Sequence, residues 1–369
     1  MDDSSSQDQR YEDAVETQAE CACGSCDDDE RGGRRSGASS APLYGADSED
    51  KNGEESSDED ERPQELTRPL SGAAAIAALQ YDILSVLTPG SEGSVYVCIR
   101  HGDATRTKVV VKVGNKGMTE KEVKVLRALN HSSIIKVLHA FRLRSWVCMA
   151  MPMYKCDLYT YIDTTALSTK QALRIEQCLL DALAYLHDCG IMHRDVKTEN
   201  ILLNNPEQAC LADFGAACKM DAPHHVPKYY GWSGTLETNS PELLAMDPYN
   251  YKTDVWSAGL VLLEMAVKSM NLFGNRAHKG ASAHLRSIIK TLQVHSVEFP
   301  KAPNSNLCRN FEQYASKTRV PYTVPNALRD FNMSADVEYA VCKMLTFDQD
   351  RRISAKEALA LPLFTQQQQ

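Results

Sequence analysis

The sequence predicts an α+β fold in which a small β-rich lobe precedes a larger helical lobe, with a disordered acidic tail ahead of both. Three observations carry this expectation. Short β-branched and aromatic runs recur between Tyr81 and Val113. Apolar residues fall at helical spacing through much of the chain beyond about residue 170. The first 65 residues hold 21 Asp and Glu against 6 Lys and Arg.

That tail balance of −15 is set against +6 over the rest of the 369 residues, so a net charge of −9 hides an acidic tail on a slightly basic body. Stretches such as SEDKNGEESSDEDERPQE have too little apolar surface to offset the entropy of ordering. Residues 1–75 are therefore expected to be disordered, with a folded domain over 76–366 divided into lobes at about 76–151 and 155–366. Cys21, Cys23 and Cys26 form C-x-C-x-x-C, one ligand short of a closed zinc site. Met1 is followed by acidic and polar residues, so no secretory signal is expected, and twelve cysteines then imply reduced thiols. Apolar stretches such as AAAIAAL at 73–79 are too short to span a membrane. Neither a membrane span nor a nucleic-acid partner is expected.

In the first lobe, YDILSVL, SVYVCI and KVVVKV read as three antiparallel strands, the last two joined by the turn-like HGDATRT. Between the first two lies TPGSEGSV, residues 88–95. It resembles a phosphate-cradling loop G-x-G-x-x-G-x-V in which Gly90, Gly93 and Val95 are present and Thr88 stands for the first glycine. Glycine lets backbone N–H groups approach phosphate closely, and Pro89 restricts Thr88 to extended conformations. A helix is expected over TEKEVKVLRALNH, with Val123, Leu126 and Leu129 on one face and Glu120 and Glu122 among its polar residues. Apolar runs around 134–151 lead to MPMYKCDL at 151–158, the expected crossover between lobes. Beyond it, ALRIEQCLLDALAYLH, SAGLVLLEMAV and AKEALALPLF read as helices, and residues 273–300 as a helix pair.

HRDVKTEN at 193–200 is followed by DFG at 213–215 and by PE at 241–242. Each is weak alone, but in this order and spacing they resemble the eukaryotic protein kinase superfamily over about residues 80–366. The resemblance implies a bilobal protein kinase fold that uses ATP and Mg²⁺. Phosphoryl transfer needs a metal site, a cation on the phosphates and a group that orients the incoming hydroxyl. Asp213 and Asn200 offer hard oxygen ligands for Mg²⁺, Asp195 can accept the hydroxyl proton, and Lys197 can neutralise the phosphoryl group in flight. Lys112 would reach the α- and β-phosphates, with Glu122 as its helix partner by the kinase pattern. The same pattern makes Thr235 a brace for Asp195 and Lys197, Glu242 and Arg352 a buried ion pair, and Asp254 the holder of the HRD backbone. Aligned on Asp157, the crossover puts Met151 at the rear gate of the nucleotide pocket and Pro152, Met153 and Tyr154 along the adenine edge.

Asp157, Glu199 and Glu264 stand where kinases that prefer basic substrates bind arginine upstream of the target hydroxyl, although Asp157 can also contact ribose. Arg-rich Ser/Thr substrates are therefore expected, and Ser36 in RGGRRSGAS is an expected site of autophosphorylation. Residues 216–233 contain Ser233 as their sole Ser or Thr, with Tyr229 and Tyr230 as the other hydroxyl sites, so activity is expected to be largely independent of phosphorylation in that segment. MPMYKCDLYTYI, HRDVKTENILLN, GTLETNSPELLA and the acidic tail are similar to the alphaherpesvirus serine/threonine kinases encoded in the unique short genome region. That resemblance implies viral and host protein substrates, roles in nuclear egress of capsids, apoptosis blocking and cytoskeletal remodelling, and residence in the cytoplasm and nucleus of the infected cell. Residues 273–300 also resemble the insert of cyclin-dependent-type kinases, leaving a cellular proline-directed kinase as an alternative. A catalytically impaired scaffold is the alternative of another class.

Overall fold

The computed structural model describes residues 76, 80–88, 93–143, 146–220, 233–267, 273, 280–301, 304–317 and 333–365. The first lobe is a five-stranded antiparallel sheet of β1 (Tyr81–Thr88), β2 (Gly93–Arg100), β3 (Lys108–Asn115), β4 (His139–Leu143) and β5 (Trp146–Pro152). Its order is β1-β2-β3-β5-β4, with the expected three strands at one side.

Alternation along these strands sorts the side chains to two faces. Val111 and Val113 of β3 join Cys148 and Ala150 of β5 in a small core with Tyr81 and Tyr96. Val147 and Met149 instead join the main core with Val123 and Leu126 of helix α1 (Lys116–Arg127). Lys112, lying between two valines of the small core, must point the other way, toward α1 and the cleft. Helix α1 starts three residues before Thr119 and stops at Arg127 instead of reaching His131. The chain tightens there through Leu129 N–H to Leu126 O at 3.2 Å, and the Asn130 N–H donates to the Tyr185 hydroxyl at 3.0 Å. Leu129 still packs on the core.

After β6 (Cys156–Asp157) the second lobe opens with α2 (Leu158–Thr164) and α3 (Thr169–Asp188). Ser168 caps α3 in a reciprocal box with Gln171, and its apolar face is buried from Ala172 to Leu186. Short strands β7 (Ile191–Met192), β8 (Ile201–Asn205), β9 (Gln208–Leu211) and β10 (Cys218–Lys219) carry the motif loops; β7 pairs with β10 and β8 with β9. Helices α4 (Pro241–Leu244) and α5 (Lys252–Val267) follow. α5 is buried on nearly all sides, as its apolar composition requires. Gly259 lets it approach its neighbour: a Cβ there would lie 2.9 Å from Met344 Cβ.

Among the described residues, the remaining helices are α6 (Ala281–Thr291), α7 (Asn306–Phe311), α8 (Ala335–Met344), α9 (Ala355–Leu359) and α10 (Pro362–Thr365). AKEALALPLF, expected as one helix, is thus two. Pro362 lacks an N–H and disfavours helical geometry at Leu361, so the helix restarts at the proline. Of the expected helix pair over 273–300, the described residues 273 and 280–300 contain α6 and a 3₁₀ turn at Ser296–Glu298. Among the described residues, no helix is long and apolar enough to cross a membrane.

Candidate active site

Three elements meet at Lys112. Its Nζ donates to Glu122 Oε1 and Oε2 at 3.0 and 2.8 Å and to Asp213 Oδ1 at 2.8 Å. Glu122, polar by the sequence pattern of its helix, is 3 % exposed and also accepts the Phe214 N–H at 3.2 Å. Burial acts to lower the Lys112 ammonium, but the two carboxylates outweigh it and hold the group above its ordinary value. Burial likewise opposes ionisation of Asp213, yet Lys112 keeps its carboxyl below the usual range. For Glu122 burial prevails and raises the carboxyl, with Lys112 opposing.

The HRDVKTEN loop assembles a second cluster. Thr235 Oγ1 donates to Asp195 Oδ1 at 2.7 Å and accepts from Lys197 Nζ at 2.7 Å. Lys197 Nζ also lies 3.1 Å from Asp195 Oδ2. Asn200 Nδ2 donates to the Asp195 carbonyl at 2.8 Å and to its Oδ2 at 3.0 Å. Both oxygens of Asp195 are therefore oriented by named donors, which fixes the carboxylate's plane. Gly234, next to Thr235, has φ +70°, and a Cβ there would run into the Arg194 carbonyl oxygen.

Behind this cluster Asp254 accepts the His193 N–H at 2.9 Å and the Arg194 N–H at 2.8 Å. Burial pushes its carboxyl upward, but His187 and the backbone donors more than offset this and hold it low. His187, whose Nε2 is 2.9 Å from Asp254 Oδ2, escaped the sequence reading; its distance along the chain gives no local signal. His193 is fully buried, and desolvation depresses its pKa, so the ring is neutral. Its Nε2 faces the Ala212 carbonyl at 3.0 Å and must carry the proton, leaving Nδ1 to accept from the Asp195 N–H at 3.3 Å. Arg194 and Asp213, at φ 64° and 58°, both occupy the left-handed region, a strain typical of functional sites.

Between the lobes lies a cleft of about 810 Å³, a size suited to a nucleotide. Of the residues singled out from the sequence, Val95, Lys112, Glu122, Met151, Pro152, Met153, Tyr154, Asp157, Glu199, Asn200 and Asp213 line it. The expected Thr88 and Gly93 are strand ends of β1 and β2, whereas Gly90 lies outside the described residues. The sequence reading missed Val110, Cys156, Leu202 and Ala212, which also line the cleft. Period-two alternation could have found Val110, which shares a face of β3 with Lys112. Asp157 additionally caps α2, accepting the Thr160 N–H at 2.7 Å.

Asn200 and Asp213 fit a divalent metal. The Asn200 amide nitrogen is committed to Asp195, leaving Oδ1 as the ligand atom, and both donors are hard oxygens. No group of three or more His, Cys, Asp or Glu that could hold a metal is found among the described residues. Two protein ligands suit an ion that completes its shell with phosphate oxygens and water.

Next to Glu199, which lines the cleft, Thr198 Oγ1 lies 3.3 Å from Glu199 Oε2 and 3.4 Å from Glu264 Oε2. Burial, reinforced by the charge of Glu199, pushes the Glu264 carboxyl up to about 7. The structure thus brings two of the three expected substrate acids together on one threonine. Glu242 and Arg352 form the expected buried pair, with Nη1–Oε1 at 2.7 Å and Nη2–Oε2 at 2.9 Å. Ser36 and Cys21, Cys23 and Cys26 lie outside the described residues.

A protein kinase domain model matches residues 81–364. The protein kinase US3 homolog of Gallid herpesvirus 2 is 54 % identical over 312 residues, covering 84 % of this chain and 77 % of the relative. The serine/threonine-protein kinase US3 of Human herpesvirus 1 is 42 % identical over 306 residues, covering 81 % and 63 %. The US3 homolog of Cercopithecine herpesvirus 9 is 40 % identical over 296 residues, covering 79 % and 85 %. This family uses ATP and a divalent metal. The chain belongs to the protein kinase family as a protein-serine/threonine kinase, similar to the US3 kinases of alphaherpesviruses.

Proposed function

We propose that this kinase transfers the γ-phosphate of MgATP to Ser or Thr in Arg-rich sequences of viral and host proteins. Asp195 takes the proton from the attacking hydroxyl, and Lys197, tied to the same threonine, neutralises the charge on the group in transit. Lys112, held in place by Glu122, aligns the phosphate chain. Asp213 and Asn200 would hold Mg²⁺, which would supply positive charge against the phosphates.

The observation that carries the arginine preference is the convergence of Glu199 and Glu264 on Thr198. Two carboxylates this close repel each other unless a cation joins them, and a guanidinium can bind both in bidentate geometry. Asp157 contributes less to this reading, because Thr160 already engages both its oxygens. By family likeness, the protein supports nuclear egress of capsids, blocks apoptosis and remodels the cytoskeleton from the cytoplasm and nucleus of the infected cell. Ser36 is a proposed autophosphorylation site; equal occupancy in active and Asp195→Ala protein by mass spectrometry would sink that part.

A peptide-array transfer assay with Lys112→Ala and Asp195→Ala as blanks tests the whole. Transfer is expected to peptides with arginine upstream of Ser or Thr and to be lost in both variants. Transfer to proline-following sites without arginine would favour a proline-directed kinase instead.

A further inference from the structure

Arg194, beside the proton acceptor Asp195, is half-buried, and its guanidinium has no ion pair among the described residues. Nε donates to the Ala216 carbonyl at 2.7 Å, and Nη1 donates to the Tyr249 hydroxyl at 3.0 Å. Ala216 ends the 3₁₀ turn that follows Asp213, and Tyr249 lies between α4 and α5, 1 % exposed in a cluster with Met192, Met220 and Leu243. The same cluster closes over the β7–β10 pairing, where Cys218 lies opposite Met192, and over the hydrogen bond from Met220 N–H to the Gly190 carbonyl at 2.6 Å. One cation thereby joins the loop of the proton acceptor to the segment of the metal ligand, and two neutral oxygens hold it in place.

We propose that Tyr249 is a positioning residue for phosphoryl transfer: its hydroxyl holds the Arg194 guanidinium against the Ala216 carbonyl and braces Asp195 against the Asp213 segment without any phosphate group. Hydrogen bonds to a charged donor are stronger than neutral ones, and this one is buried at its tyrosine end. With the hydroxyl removed, Arg194 loses one of its two anchors and the turn after Asp213 loosens. The loss falls on alignment of the reacting groups and not on the adenine edge or the acidic pair Glu199 and Glu264. The proposal rests on the kinase activity alone and is independent of the arginine preference.

Tyr249→Phe keeps the ring in its cluster and removes only the hydroxyl. Full-length wild-type and variant proteins are phosphatase-treated and assayed on whichever array peptide the wild type phosphorylates best, with Asp195→Ala as blank. The expected result is a kcat about tenfold lower in Tyr249→Phe, with KM for ATP and peptide within about twofold and a cooperative melting transition that shows the variant is folded. In an Arg194→Ala background the Tyr249→Phe change is expected to add nothing. An unchanged kcat in Tyr249→Phe, a loss confined to KM, or a full additional loss in the Arg194→Ala background would overturn the proposal. So would a wild-type enzyme that phosphatase treatment inactivates. Absence of transfer by untreated wild type would count against the kinase activity itself, which separates the two failures.

Discussion

Lys112 and Glu122 are bound through two oxygens, at 3.0 and 2.8 Å, from a strand and a helix ten residues apart in sequence. The same ammonium reaches Asp213 at 2.8 Å, so a single positive charge ties β3, α1 and the metal-ligand segment together. Replacing it removes the tie and, with it, the cation proposed to meet the phosphates. Lys112→Ala is expected to lower kcat by at least about 100-fold, as for loss of a preorganised charge in other active sites. Steady-state transfer assays check this, with circular dichroism to establish that the variant folds.

Thr235 touches both Asp195 and Lys197, and its hydroxyl is the atom that matters. Thr235→Ala is expected to cost about 10- to 100-fold in kcat, and Thr235→Ser to retain most activity. A serine variant as impaired as the alanine one would show that the methyl group's packing, not the hydrogen-bond bridge, is what counts.

Glu264 titrates near neutrality because it is buried beside Glu199. Its carboxyl is protonated below about 7 and charged above it, and only the charged form pairs with a guanidinium. The KM for an Arg-rich peptide is therefore expected to fall as pH rises from about 6 to 8, and Glu264→Gln to flatten that profile. The sign for stability is opposite. The folded-state value is raised from 4.5, so the contribution to stability present below that value is lost as pH rises toward about 7. Denaturant titrations of the free enzyme across this range, compared with Glu264→Gln, measure it.

The Glu242–Arg352 pair is 2 % and 0 % exposed at its side chains, and Arg352 also donates to the carbonyls of Thr346, Lys252 and Phe347. Glu242→Ala leaves a guanidinium buried without its carboxylate. It is expected to destabilise the fold by about 3–5 kcal/mol in chemical denaturation.

Gly234 is expected to tolerate no side chain. Gly234→Ala would drive a methyl group into the Arg194 carbonyl at a φ that disfavours L-residues, displacing the neighbouring Thr235 from Asp195. Transfer activity is expected to be lost with little change in ATP binding, as read by nucleotide-dependent thermal shift.

Much of the site was legible because phosphoryl transfer demands particular groups, and their order along the chain is local. HRDVKTEN and DFG place Asp195, Lys197, Asn200 and Asp213 within a short span, and a fixed offset from His131 identified Glu122. The strands of the first lobe were legible for another local reason, since alternation of β-branched residues needs no partner to be visible. The end of α1 was not, because it depends on a tyrosine of α3 that accepts no signal from neighbouring sequence.

The sequence by itself determined the two-lobed α+β architecture and the kinase motifs that carry the charged groups Lys112, Asp195, Lys197 and Asp213. Only the tertiary structure decided that Glu199 and Glu264 meet at one threonine, that His187 supports Asp254, and that Tyr249 meets Arg194. The physical reason is range. Propensity and periodicity act over a few residues, whereas a carboxylate's pKa or a guanidinium's direction is set by atoms 50 or more positions away that packing alone brings within about 3 Å.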